Sequence, residues 1–228
     1  MKTNDIRCKF KKAWLDGNET ENGMIEIVNA SFIADEETIF GELNEEYAKN
    51  EVAWYLSTSL SIHDMQKPIP KIWKEIASKC KGRINSNYGW CIFSENNYEQ
   101  FNKTLECLIK DKHSRQAVMI YIRPSIHEDA FADGMKDFMC TYAVQILIRN
   151  NELHYIVNMR SNDAIFGYKN DRYWHNIVFN MCLERLSKEY TDLEKGNLYW
   201  NAGSLHIYPR HFHLIKESMT EDGLFKRN

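Results

Sequence analysis

Hydrophobic periodicity is sharpest in the second half of the chain. Ala117–Ile122 (AVMIYI) is a short apolar run closed by Arg123-Pro124, the pattern of a buried strand. Ala143–Arg149 and Glu152–Met159 are β-type runs joined by Asn150-Asn151, which predicts a tight hairpin. The polar stretch Arg160–Asn170 reads as a loop. Beyond it, Trp174, Ile177, Val178, Met181 and Cys182 recur at helical spacing and share one face. Ser204–Tyr208 reads as a last strand, stopped by Pro209. Upstream, Met24–Ile33 partly alternates and predicts a strand. Glu36–Ser59, rich in Glu, Leu, Ala and Tyr, predicts a helix carrying Glu51, Trp54 and Tyr55, and Asn97–Lys110 predicts another. Strands outnumber helices, but the two kinds alternate. The expected fold is therefore α/β (α+β) with one large sheet. With four prolines, no repeat and no low-complexity tract, no boundary divides it, so one domain over residues 1–228 is expected.

Composition narrows the class of protein. A chain of 228 residues with 43% hydrophobic and 13% aromatic content can bury a substantial core without disulfides or metals. The formal charge of −3 gives no basic excess for a duplex nucleic acid, although a few placed arginines suffice for one phosphate. Six scattered cysteines form no CxxC pair, which argues against a zinc ribbon or a thioredoxin-like site, and no metal is expected. Residues 1–12 are charged and lack an apolar core, so no signal peptide is read there. No apolar run approaches the ~20 residues that cross a bilayer. A reducing, cytoplasmic setting with free thiols follows.

Cys140, just before the first hairpin strand, is the leading candidate for chemistry. Alone, a cysteine in such a place is ordinarily a small buried apolar residue. Arg160-Ser161-Asn162-Asp163 ends the second hairpin strand. The guanidinium and hydroxyl suit a phosphate clamp, while the commoner role of such a tetrapeptide is a polar turn. Hairpin geometry returns Arg160 to the strand start beside Cys140, and a cation there lowers a thiol pKa. His206 and Tyr208 alternate on one strand and so share a face, suited to a sugar hydroxyl or to a half-buried structural pair. Asp171 precedes the Trp174 helix and also reads as its N-cap. Arg115 also reads as a solvated surface charge.

Together these residues resemble the thymidylate synthase superfamily, most closely its phage-type deoxycytidylate hydroxymethylases. The resemblance runs from about Ile25 to Leu214. It is carried by Asn85–Trp90 (NSNYGW), Asp137–Thr141 (DFMCT), Asn158–Asp163 (NMRSND) and Gly203–Tyr208 (GSLHIY), in order and with the family's Cys-to-Arg interval. It implies a thymidylate synthase-like domain with one large mixed β-sheet flanked by helices. It also implies Cys140 as nucleophile towards ring carbon 6 of a pyrimidine nucleoside monophosphate, with 5,10-methylenetetrahydrofolate as co-substrate. Arg160 and Ser161 match the phosphate site, and Arg115 matches an arginine reaching it from the second subunit of a homodimer. His206 and Tyr208 match the pair at the 3′-hydroxyl, Glu51 the buried glutamate that organises water, and Tyr88 the tyrosine near carbon 5. Trp73, Asp163 and Gly167 match folate-site positions.

Asp171 stands where thymidylate synthases carry asparagine. A carboxylate accepts from the amino group of cytosine and favours a proton at N3, but has none to give the oxygen of uracil. Two mismatched buried polar contacts, at roughly 1–3 kcal/mol each, supply ~10²-fold discrimination or more. The expected activity is thus hydroxymethylation of dCMP; CMP, dUMP and a non-catalytic nucleotide-binding regulator remain as alternatives. The chain also departs from the pattern. Gln116 replaces a second arginine, loop Asp16–Gly23 holds no basic residue, Ser204 replaces an aspartate, and Leu224–Asn228 does not match the family's closing tail.

Overall fold

The computed structural model describes residues 1–221. The elements run α1 (Thr3–Leu15), β1 (Ile25–Ile33), α2 (Glu45–Leu56), α3 (Lys71–Ile76), α4 (Tyr88–Phe93), α5 (Gln100–Lys110), β2 (Val118–Ile120), α6 (Ile126–Asp129), β3 (Thr141–Arg149), β4 (Glu152–Asp163), α7 (Phe166–Leu186), β5 (Glu194–Ile207) and α8 (Phe212–Glu221). The strands form one sheet in the order β1-β5-β4-β3-β2. Neighbours are antiparallel except β4 and β5, which run parallel and are joined through α7. The mixed sheet with flanking helices is the architecture expected.

The β3–β4 hairpin turns at Asn150 and Asn151, with φ of 52° and 63°. Left-handed φ at both central residues is what a two-residue hairpin turn requires, and asparagine tolerates it well. Val144, Ile146 and Ile148 on β3 and Leu153, Tyr155, Val157 and Met159 on β4 alternate inward into the core. Trp174, Val178 and Cys182 are buried on one face of α7, as their spacing predicts.

Several boundaries differ from the sequence reading. The Glu36–Ser59 helix begins only at Glu45, where the Asn44 side chain caps it by accepting from Tyr47 N–H at 3.0 Å. The segment before it is pinned in non-helical form, with the Glu36 carbonyl accepting from Tyr168 Oη and the Ile39 carbonyl from Arg7 Nε. Residues Arg160–Asp163 are strand rather than loop, because Ser161 and Asp163 pair with Ser204 and His206 of β5. The α7 helix starts at Phe166, so Asp171 lies inside it and is not its N-cap. The last strand begins ten residues earlier than the apolar run suggests, at Glu194, held by β4 on one side and β1 on the other. The Leu224–Asn228 tail lies outside the described residues.

Candidate active site

At the carboxyl end of β4 and the start of α7 a cleft of about 990 Å³ opens. It gathers Cys140, Glu51, Tyr88, Asp171, Arg160, Ser161, His206, Tyr208, Trp73, Asp163 and Gly167. Arg115 is the exception: it is exposed and does not line the cleft of its own chain.

Cys140 is partly exposed on the cleft wall, in the segment entering β3. Hairpin pairing returns Arg160 to it as expected: Arg160 N–H donates to the Cys140 carbonyl at 2.9 Å. The guanidinium is braced against the same segment, Nε on the Met139 carbonyl at 3.0 Å and Nη2 on the Phe138 carbonyl at 2.7 Å, with Nη2 3.8 Å from Cys140 Sγ. The next residue, Thr141, is held from behind. Its N–H donates to Tyr88 Oη at 3.3 Å, and its hydroxyl lies 3.3 Å from His175 Nε2, a ring that burial keeps neutral. The thiol pKa goes the opposite way from the sequence expectation. Burial first, then the Asp171 carboxyl, push it up to about 11, and the opposing effect of Arg160 is the smaller.

Tyr88 opens α4, capped by the Asn87 side chain on Trp90 N–H at 2.7 Å. Gly89 allows this short helix to press on α2, since a Cβ there would sit 1.8 Å from the Tyr55 carbonyl oxygen. The Tyr88 ring stacks on Tyr55 at 5.3 Å.

Two carboxyls, the buried Glu51 and the half-buried Asp171, share the floor. Glu51, on α2, accepts from Tyr47 Oη at 2.5 Å and Trp73 Nε1 at 3.2 Å. Burial raises its pKa, and those two donors work against the rise. Asp171, on the first turns of α7, accepts from Asn162 Nδ2 at 2.8 Å. Burial, then the nearby Glu51, push its carboxyl well above the usual range, which favours the neutral acid; Asn162 opposes.

His206 near the end of β5 and Tyr208 just beyond it face the cleft together, their rings 4.9 Å apart edge to face. Ser204 hydrogen-bonds Glu26, and its hydroxyl lies 3.3 Å from His206 Nδ1. A hydroxyl whose proton goes to a carboxylate can only accept from the ring, which calls for a proton on His206 Nδ1. The serine found in place of the family's aspartate thus has a defined task. Asp163, in turn, accepts from the Ile165 and Phe166 N–H groups and so braces the start of α7.

Sequence reasoning missed Tyr47, Asn162 and Arg210. Tyr47 stands four residues before Glu51, and helical spacing was the signal that would have paired them. Arg210 lines the cleft with its guanidinium 4.3 Å over the Tyr208 ring. A Cβ at Gly23 would meet Pro209 at 3.5 Å, so this cation enters beside the loop that lacks one.

The fold aligns with that of thermostable thymidylate synthase A from Bacillus subtilis, with a TM-score of 0.65 and 23% identity over 86% of this chain and 70% of that one. The fold is thus the thymidylate synthase fold. The thymidylate synthase family model matches residues 42–224. Deoxycytidylate 5-hydroxymethyltransferase of Enterobacteria phage T4 is 49% identical over 193 residues, 84% of this chain and 78% of the relative. Its counterpart in Enterobacteria phage T6 is 48% identical with the same coverage. Thymidylate synthase of Bacillus atrophaeus is 25% identical over 74% of this chain and 72% of its own. The chain belongs to the thymidylate synthase family.

Proposed function

We propose that the cleft transfers a one-carbon unit from 5,10-methylenetetrahydrofolate to ring carbon 5 of dCMP, and that water completes 5-hydroxymethyl-dCMP. The observation that carries the reading is a half-buried carboxyl, Asp171, on the floor of the same cleft as a thiol braced by an arginine. Cys140 Sγ bonds to ring carbon 6, displacing electron density to carbon 5 while N3 takes a proton from the Asp171 side. Carbon 5 then bonds to the transferred carbon and loses its hydrogen as a proton, and the bond from that carbon to the folate nitrogen breaks to release tetrahydrofolate. Water adds to the resulting exocyclic methylene, and expulsion of the thiolate, with N3 returning its proton to Asp171, restores the ring. Arg160 and Ser161 hold the 5′-phosphate, and His206 with Tyr208 the 3′-hydroxyl. Tyr88 bounds the ring near carbon 5.

The folate, when bound, supplies the one-carbon unit. The wall it would occupy fits a flat aromatic group: Trp73, Ile72, Ile76 and Phe138 are apolar, with Asp163 and Gly167 at its polar edge. In this reading Arg115 serves the cleft of a partner in a homodimer, consistent with its exposure away from its own cleft and with Ile120 left 56% exposed on the nearby edge strand. The reading carries one domain over residues 1–228, acting in the cytoplasm, that of the host cell if phage-encoded. Among the described residues no helix is long and apolar enough to cross a membrane.

The test offers dCMP, CMP and dUMP in parallel with methylenetetrahydrofolate and identifies products by mass. Hydroxymethyl-dCMP is the expected main product. A methylated dUMP product would make this a thymidylate synthase, and nucleotide binding without turnover a regulator.

Glu51 places the water. Its carboxyl is buried, oriented by Tyr47 and Trp73, and opens on the cleft. Glu51→Gln keeps the shape but removes the base, and loses roughly 10²-fold or more in hydroxymethyl formation. Exchange of the carbon 5 hydrogen with solvent survives better, because it precedes water addition. Full hydroxymethyl formation in the variant would refute this role.

A further inference from the structure

The neutral form favoured for Asp171 raises a difficulty for selection. A carboxylate rejects uracil because it has no proton to donate, but a neutral carboxyl has one. With its O–H towards carbon 4 it would donate to the oxygen of uracil while its carbonyl accepted from N3–H. With the O–H towards N3 it fits cytosine instead. Discrimination therefore depends on which of the two oxygens carries the proton.

The structure contains a group that decides this. Asn162, on β4, is buried at 2% exposure and donates from Nδ2 to Oδ2 of Asp171 at 2.8 Å. An oxygen already accepting an N–H is the carbonyl-like oxygen, so the proton belongs on Oδ1. Gly167 makes the approach possible: a Cβ there would lie 2.9 Å from Asn162 Nδ2 and 3.7 Å from Asp171 Oδ2.

We propose that Asn162 is a specificity-determining positioning residue, whose amide fixes Asp171 Oδ2 as the acceptor for the cytosine amino group and so leaves Oδ1–H to donate to N3. The inference rests on dCMP being the substrate, since only then must Oδ2 face carbon 4. Uracil meets two clashes in this frame, its O4 against the acceptor Oδ2 and its N3–H against the donor Oδ1. Moving the proton to Oδ2 would relieve both, but would set it against the Asn162 N–H unless that amide also turned over to present Oδ1, which has no hydrogen-bond partner in this arrangement.

Asn162→Ala removes the constraint, and the carboxyl proton then moves freely between its oxygens. The expected result is a rise of about tenfold or more in kcat/KM for dUMP, with hydroxymethyl-dUMP as product, and a fall of a few-fold for dCMP. A gain for the wrong nucleotide does not arise from loose packing, which lowers both. Gly167→Ala crowds the same amide without touching the nucleotide frame and shifts the dCMP-to-dUMP ratio in the same direction by a smaller factor. Any effect of Gly167 on folate cancels in that ratio. If wild-type protein does not prefer dCMP, the proposed function fails. If it does and both variants keep the wild-type ratio within twofold, the role assigned to Asn162 fails.

Discussion

Cys140→Ser abolishes product formation, by on the order of 10⁴–10⁶-fold, the range lost when a nucleophile is removed from an otherwise intact site. The residual site remains assembled. Arg160 is held mainly by the Met139 and Phe138 carbonyls, at 3.0 and 2.7 Å, and only weakly by the sulfur at 3.8 Å. The affinity of the variant for dCMP, read by calorimetry, therefore stays within about threefold of wild type. The pKa near 11 adds a second expectation. At pH 7 the thiolate fraction in the empty cleft is about 10⁻⁴, four pH units below the midpoint. Alkylation of Cys140 accordingly accelerates about tenfold per pH unit between 7 and 10, and peptide mapping separates it from the exposed Cys8. Turnover by the serine variant above about one percent of wild type would remove Cys140 from the chemistry.

The same polar residues that build the cleft hid part of the fold from the sequence. The hairpin and the middle of α7 were legible because their apolar positions face only the core. Arg160–Asp163 was read as a loop since four polar residues in a row give no strand period, yet they extend β4 because Ser204 and His206 of β5 supply the pairing. The first turn and a half of α7 was lost for the same reason, with Gly167, Asn170 and Asp171 turned to the cleft instead of the core. Local rules are broken where the site needs it. The start of β5 was hidden differently: Glu194, Lys195, Gly196 and Asn197 are polar at the sheet end, and only the parallel register with β4 reveals them as strand. α1 has a different cause again, since its buried face holds only two apolar residues, Ile6 and Phe10, flanked by the buried polar Thr3 and Lys11. Most residues that line the cleft together were singled out by motif order and hairpin geometry. The neutral state favoured for Asp171 was not, because it comes from burial beside Glu51, a residue 120 positions away.

Asp171→Asn then separates binding from proton transfer. The amide keeps the shape, and Asn162 still donates to its oxygen, which places the new NH₂ where Oδ1–H stood. A cytosine finds its hydrogen-bond partners intact, with the amide oxygen for the amino group and NH₂ for N3. It no longer finds an acid, because an amide cannot release a proton to N3 as the ring accumulates charge after thiol attack. The loss for dCMP therefore falls on kcat, by about 10²-fold or more, with little change in KM, the pattern of a contribution made only in the transition state. Uracil needs no such proton, since its own O4 holds the charge, but to bind it the amide must flip and turn its NH₂ towards the Asn162 donor. The gain for dUMP in the single variant is accordingly partial. The double variant Asn162→Ala with Asp171→Asn releases the flip and gains more than the sum of the two single changes, a coupling expected of residues sharing one hydrogen bond. An unchanged kcat for dCMP in Asp171→Asn would mean that the proton at N3 comes from elsewhere. Strictly additive effects on dUMP would mean that Asn162 and Asp171 act apart.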